Sequence, residues 1–331
     1  MHPFSISQAT DIDLAMAAHA RDPSLAFVAG GTDLVGLMKD RAEQPARLLD
    51  INHLPGLSRF DVLPDGSVKI GALVRMSDVA IDMNVRRRMP LISEALLFSA
   101  STQLRNMASM GGNIMQRTRC AYFRDGDGAP CNKRAPGSGC SARHGVNRNH
   151  AIFGWSDACV ATHPSDVAVA LSALDSIVHV RGPKGERVIP FGEFHRLPGT
   201  TPEKDNVLER GDIIVGLTIP YRAEARRSHY LKVRDRQSYE FALVSVAAGL
   251  DLDGERIRSA RLALGGVAHR PWRLPAAEQA LVGANLSDAN QLRTAIALSF
   301  SDVRPLERNA FKAELAQRAI IRALQTIGSR A

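Results

Sequence analysis

The four cysteines of this chain, Cys120, Cys131, Cys140 and Cys159, fall in one short polar stretch, and the rest of its 331 residues hold none. Around them the sequence CAYFRDGDGAPCNKRAPGSGC is mostly Gly, Pro, Arg, Asn and Asp, with no apolar periodicity. A loop that cannot build a core of its own needs something else to hold it. Four thiolates gathered on a metal centre would do so, and soft thiolate ligands select iron–sulfur clusters or zinc. The spacing C-x10-C-x8-C-x18-C lacks both the close cysteine pair of structural zinc sites and the bacterial ferredoxin run, so it does not name the metal. Two disulfides, in any of the three pairings that four cysteines allow, are the alternative. A reducing compartment opposes them, and a chain of this size has no need of staples.

Composition bounds the rest. At 331 residues the chain is long enough for two or three domains with real cores, and 45% hydrophobic with 23% charged residues is ordinary for a water-soluble protein. The longest apolar run, Phe241 to Leu250, is too short to span a bilayer, so no membrane association is expected. The N-terminus MHPFSISQATDID has no basic region followed by an apolar one and is not a signal peptide. The expectation is a cytoplasmic start, with export only as a folded passenger of a signal-bearing partner. The net charge of +8 is spread along the chain, its densest run being Val85-Arg86-Arg87-Arg88. That run reads as a solvated helix face. With aromatics at 5%, nucleic-acid binding is not expected; a basic surface suits an acidic partner or an anionic cofactor.

The element pattern is mixed. Thr10-Asp11-Ile12-Asp13 opens an N-capped helix to about His19, Leu25 to Ala29 is an apolar strand ending in Gly30-Gly31-Thr32-Asp33, Leu34 to Arg41 is helical, and Arg47 to Ile51 is a second strand. Helices are expected at Ser77 to Asp82, Arg86 to Ser99 and Val167 to Leu174, the last capped by Ser165-Asp166. Val68 to Leu73 and Asp212 to Ile219 read as strands, and Ser176 to Pro190 as a hairpin about Gly182-Pro183-Lys184-Gly185. Pro220 to Arg227 reads as a linker. Beyond it three strands (Ser228 to Arg234, Phe241 to Asp251, Arg256 to Leu264) precede three helices (Leu274 to Val282, Asp288 to Phe300, Arg308 to Ile327), which suggests a separate α+β domain from about residue 223.

Two segments carry glycine pairs. In FVAGGTDLV, Phe27 to Val35, a strand runs into Gly30-Gly31 and then a helix start. Such a turn offers backbone N–H groups to an anion, although it is not the G-x-G-x-x-G fingerprint and by itself also describes a plain strand–turn–helix corner. In SASTQLRNMASMGGNIMQ, Gly111-Gly112 precede Asn113 in a stretch expected to be extended over Ser109 to Met115. Two such sites suit a ligand with two phosphates. Asn132, Lys133, Arg134 and the loop glycines are candidate hydrogen-bond donors to cluster sulfurs. His144, His150 and His163 lie near the cysteines and read as surface or hydrogen-bonded histidines, with metal ligation as the alternative. No nucleophile–base set appears, as suits a protein whose cofactors do the chemistry.

Taken in order, FVAGGTDL, QLRNMASMGGNI, HPSDVAVAL, YLKVRDRQSYEFALVSVAAGL and LALGGVAHRPW resemble the FAD-binding subunits of the molybdenum hydroxylases, the xanthine dehydrogenase family. The cysteine-bearing insertion is similar to that of the bacterial periplasmic aldehyde oxidoreductases, where it carries a [4Fe-4S] cluster. 4-Hydroxybenzoyl-CoA reductase, with its own cluster insertion, is the alternative. The resemblance implies an α+β architecture: a vanillyl-alcohol-oxidase (PCMH)-type FAD-binding fold over residues 1–222, in subdomains 1–56 and 57–222 with the insertion at 117–160. A C-terminal α+β domain over 223–331, as in CO dehydrogenase flavoproteins, follows. It implies FAD held by Phe27, Val28, Ala29, Gly30, Gly31, Thr32, Asp33, Leu34 and Val35, by Ser109, Gly112 and Asn113, by Asp166, and by Ile214 and Lys232 beside the flavin ring. It implies Cys120, Cys131, Cys140 and Cys159 as the cluster ligands. Implied partners are a large subunit with the molybdopterin cofactor, a small subunit with [2Fe-2S] clusters, and an external electron acceptor, with the periplasm reached by co-export or, alternatively, the cytoplasm as the compartment.

Overall fold

A computed structural model describes residues 1–126 and 128–330. Three sheets organise it. The first is parallel, in the order β1 (Ser5–Gln8), β3 (Arg47–Asp50), β2 (Leu25–Val28), with α1 (Ile12–Arg21) and α2 (Leu34–Lys39) as its connections. Asp11 caps α1 by accepting the Leu14 N–H at 2.8 Å, as its place before the apolar repeat requires. Strand β1 was not expected from sequence. Its residues SISQ are all exposed, so no buried alternation marks it, and only its pairing with β3 makes it a strand.

The second sheet is antiparallel, in the order β4 (Phe60–Val62), β5 (Val68–Gly71), β8 (Ile213–Ile219), β6 (Ile177–Gly182), β7 (Gly185–Pro190). Helices α3 (Met76–Ile81), α4 (Met83–Arg88), α5 (Pro90–Phe98), α6 (Thr102–Met107), α7 (Met110–Ile114), α8 (Ala121–Arg124), α9 (Asp166–Ala173) and α10 (Phe191–Phe194) lie between its strands in the chain. The single helix expected over Arg86 to Ser99 is two, because Met89 leaves the helical region at φ −145° and Pro90 opens the next. Helix α9 is buried on every side, which is why its sequence DVAVALSA shows no polar face. Ser165 caps it through the Ala168 N–H at 3.1 Å.

The expected linker contains a short helix, α11 (Ala223–Arg226), whose Glu224 is buried and accepts from Ser259 at 2.8 Å. After it comes an antiparallel sheet in the order β12 (Trp272–Arg273), β11 (Arg256–Gly265), β10 (Val244–Asp253), β9 (Ser228–Val233). Helices α12 (Pro275–Ala280), α13 (Ala289–Ala297) and α14 (Phe311–Ser329) pack on it in one core. Two residues of the cysteine insertion, Ile152 and Phe153, are fully buried in that same core. Asn309 donates to the carbonyls of His150 and Ala151, both at 3.1 Å. Lys312, with no exposed surface, donates to the carbonyls of His150 at 3.0 Å and Gly266 at 2.7 Å. Burial pushes its ammonium down to about 7. The far arm of the insertion is thus threaded into the C-terminal domain.

Core position decides the cost of truncation. Leu96→Ala, at a fully buried site on α5, is expected to lower unfolding free energy by about 2–5 kcal/mol, whereas Leu14→Ala, at a side chain 73% exposed, should change it by no more than about 0.5 kcal/mol. Chemical denaturation of both variants checks the contrast.

Candidate functional site

The two glycine segments meet. Strand β2 delivers Gly30 against the end of α6 so closely that a Cβ there would lie 2.0 Å from the Met107 carbonyl oxygen. Gly31 follows at φ 68°, a conformation that favours glycine. Behind the turn, Arg75 donates to the Met107 carbonyl at 2.5 Å and to Asn52 at 3.1 Å, and Asn52 donates to the Ala29 carbonyl at 3.0 Å. Neither Asn52 nor Arg75 carried any sequence signal.

Residues Ser109 to Met115, expected to be extended, instead form α7 with Ser109 as its cap, accepting the Gly112 N–H at 3.2 Å. The reason is packing. A Cβ on Gly111 would stand 2.9 Å from the Ala72 side chain, so glycine lets the short helix press on the end of β5, with Met110 and Gly111 donating to the carbonyls of Val74 and Ala72. Asn113 accepts from Ser165 at 2.5 Å.

Two adjoining cavities of about 300 and 330 Å³ cross these loops and share Thr32, Asp33, Ala108, Gly112 and Gln116 as walls. The smaller runs along the Phe27 to Leu34 segment beside Ser109; the larger continues past Asn113 to Asp166 and Lys232, with Tyr239 and Phe241 at its side. Val35 packs beside Gly31, and Ile214 lies in β8, 8% exposed within the main core, rather than on either wall. The fit to a long, jointed ligand carrying phosphates is good: an extended cleft, small residues where the walls come close, and a charged end.

Asp166 and Lys232, expected to face a ligand separately, are bonded to each other at 2.8 Å with side chains 7% and 2% exposed. Asp166 also accepts from Tyr230 at 2.7 Å and Ser99 at 3.1 Å. Burial and the adjacent Asp166 charge raise the Tyr230 phenol well above its ordinary value, so it stays a donor. Tyr230 is recoverable from sequence only as the residue two before Lys232, on the same face of β9.

All four cysteines line one small cavity together with Thr118, Phe123 and Lys133. None is in a disulfide, which removes the stapled alternative, and Cys131 and Cys140 face each other in an antiparallel bridge. Backbone amides point at the sulfurs: those of Tyr122 and Phe123 at Cys120, of Val160, Arg143 and Ala142 at Cys140, and of Ala161 at Cys159. A hydrogen bond from Cys159, helped by those amides, pulls the Cys140 thiol down to about 6, while burial pushes Cys120 up to about 11. Among the described residues no group of three or more His, Cys, Asp or Glu side chains is arranged to hold a metal ion. The donor chemistry nevertheless suits iron–sulfur ligation: four soft sulfurs, one cavity, backbone donors around it and no carboxylate on its wall.

The side chains of Asn132, Lys133 and Arg134 donate to oxygens and not to the sulfurs, although the Lys133 charge favours the Cys159 thiolate. They brace the loop, Asn132 on the Ala158 carbonyl at 3.0 Å, Lys133 on the Pro202 carbonyl and Asp205 at 2.5 Å each, and Arg134 on the carbonyls of Tyr122 and Phe123. His150 alone of the nearby histidines touches a sulfur, with Nε2 3.2 Å from Cys120. His163 packs instead against His195, with ring centroids 4.2 Å apart and the planes tilted, and His144 ends the short 3-10 turn Ser141–Arg143.

Residues 2–222 match the FAD binding domain in molybdopterin dehydrogenase, and residues 229–327 match the CO dehydrogenase flavoprotein C-terminal domain. The chain belongs to this molybdopterin dehydrogenase flavoprotein family. It is an FAD-binding electron-transfer subunit of molybdenum-dependent oxidoreductases. The aldehyde oxidoreductase FAD-binding subunit PaoB of Escherichia coli is 47% identical over 312 residues, covering 94% of this chain and 93% of that one. The glyceraldehyde dehydrogenase medium chain of Sulfolobus acidocaldarius is 26% identical over 87% of this chain and 85% of its own. The fold is shared over the full length with a subunit of reconstituted CO dehydrogenase from Oligotropha carboxidovorans, at a TM-score of 0.77 and 22% identity. No helix among the described residues is long and apolar enough to cross a membrane.

Near the cleft, His195 and His269 are buried, and desolvation lowers their pKa values to about 4 and about 3. Their unfolded value is about 6.5, so between the two values the unfolded chain binds more protons. The stability they confer is complete above about pH 6.5 and is lost as pH falls towards 4, at up to about 1.4 kcal/mol per pH unit for each group. Denaturation midpoints from pH 7 to 4 should fall accordingly, and less steeply in His269→Gln. Gly30→Ala, by contrast, is expected to push the turn off the Met107 carbonyl and release FAD, read by flavin fluorescence in the filtrate.

Proposed function

We propose that this chain is the FAD and [4Fe-4S] subunit of a heterotrimeric aldehyde oxidoreductase, standing between a large molybdenum-cofactor subunit with a small [2Fe-2S] subunit and an external electron acceptor. The observation that carries the reading is the 47% identity with the PaoB subunit across nearly both chains, in a chain whose four cysteines line one cavity. FAD, when bound, supplies a two-electron store between donor and acceptor.

The residues have distinct parts in this reading. The Phe27 to Val35 loop offers backbone N–H groups to the pyrophosphate, while the N–H groups of Met110 to Asn113 are spent within the protein and Gly30 and Gly112 allow close packing on Met107 and Ser109. Asp166 and Lys232 close the far end of the cleft. With Tyr230 and Ser99 holding Asp166, the lysine charge is fixed in a dry site, where it favours negative charge on a reduced ring. Cys120, Cys131, Cys140 and Cys159 hold the cluster, and the surrounding backbone N–H groups offset its charge.

The test is an absorption spectrum with flavin and iron quantitation on the complex purified after co-expression with its partner subunits. One FAD and four irons beyond those of the small subunit are expected per trimer, with aldehyde-dependent reduction of an artificial acceptor. Colourless protein, or zinc in place of iron, would sink the assignment. Lys232→Ala should lower the flavin midpoint potential, measured by dye equilibration, while leaving iron content unchanged.

A further inference from the structure

The insertion does more than surround its cysteines; it lies along the first flavin loop. Asp33 stands at the N-cap of α2, yet its carboxylate makes no capping bond. It accepts instead from the insertion: from the Arg117 N–H at 2.8 Å, from Arg124 at 2.8 Å, and from Arg119. The side chains of Asp33 and Arg124 are 17% and 15% exposed, so this pair is only lightly screened by water. Arg124 also reaches Asp40, the residue that ends α2, at 3.4 Å. One guanidinium therefore spans the helix from cap to cap. A Cβ on Gly36 would meet the Arg124 guanidinium at 3.7 Å, an ordinary contact, so the guanidinium lies directly over the helix. Beneath it, Leu37 of α2 shares a small core with Phe123, Cys131 and Cys120.

Arg124 is one helical turn from a cysteine. The N–H groups of Phe123 and Arg124 both donate to the Cys120 carbonyl at 3.1 Å, closing α8. Whatever fixes Cys120 fixes the turn that aims Arg124.

We infer that Arg124 is a positioning residue that couples occupancy of the cysteine site to FAD binding: the loaded cysteines hold α8, α8 aims Arg124, and Arg124 with Arg119 holds Asp33 and α2 in the shape the flavin loop needs. This rests on the proposed FAD and [4Fe-4S] reading and gives the insertion a task that requires no electron to pass through it. Coupling of this kind is reciprocal, so bound FAD also protects the cluster.

The experiment uses the purified complex and measures the FAD dissociation constant by flavin fluorescence, before and after removal of the cluster iron with ferricyanide and a chelator. In the unaltered complex, iron loss is expected to weaken FAD about tenfold, within the usual range of such couplings. In Arg124→Gln, FAD should already be about tenfold weaker with iron in place, and iron loss should weaken it little further. Arg124→Lys, which keeps charge and reach to one carboxylate, should restore part of the affinity and part of the response. Stripping FAD should hasten chelation of iron in the unaltered complex more than in Arg124→Gln. If flavin and iron are both present but FAD affinity ignores iron loss, or if Arg124→Gln binds FAD as tightly as the unaltered complex, the coupling is wrong and the function stands. A complex with neither flavin nor iron overturns both.

Discussion

The carboxylate of Asp166 is the joint on which the molecule turns. It sits on the first turn of a fully buried helix in the FAD-binding half, and two of its three donors, Tyr230 and Lys232, come from the first strand of the C-terminal sheet. A buried carboxylate is costly unless every lone pair is used, and a buried ammonium is costly without its counter-charge. Each half therefore carries a group that only the other can satisfy. The cleft lies along this joint, so its charged end cannot form until both halves are in place.

A second joint shows the same logic with backbone carbonyls as the groups to be satisfied. Residues 147–160 belong to the insertion by sequence, yet Ile152 and Phe153 are core residues of the C-terminal domain. Their neighbours' carbonyls are met by Asn309 and Lys312 rather than by water. The loop that looked coreless from its composition borrows two cores, one around Leu37 and one around α14.

Much of this was open to reading. Helix caps at Asp11 and Ser165, the hairpin at Gly182 to Gly185 and the long C-terminal helix each follow from local chemistry that no distant contact overrides. The glycine pairs fall beside the two cavities, although at Gly111 the cause is close packing on Ala72 and not an extended strand. What stayed hidden depended on partners far along the chain. Strand β1 exists only because β3 pairs with it. Arg124 matters only because two aspartates lie beside it, and the sequence around it is a run of polar residues like any surface loop. Asp166 and Lys232 were both marked, but their pairing across 66 residues was not, since no periodicity connects two elements of different domains.

The bonds from Asn309 and Lys312 also set an order of events. On the ribosome the cysteine loop emerges long before residue 312, and until then the backbone at His150 and Ala151 has no protein donor and Ile152 and Phe153 have no core to enter. The far arm of the cysteine insertion therefore gains its last anchors only once the C-terminal domain has been made.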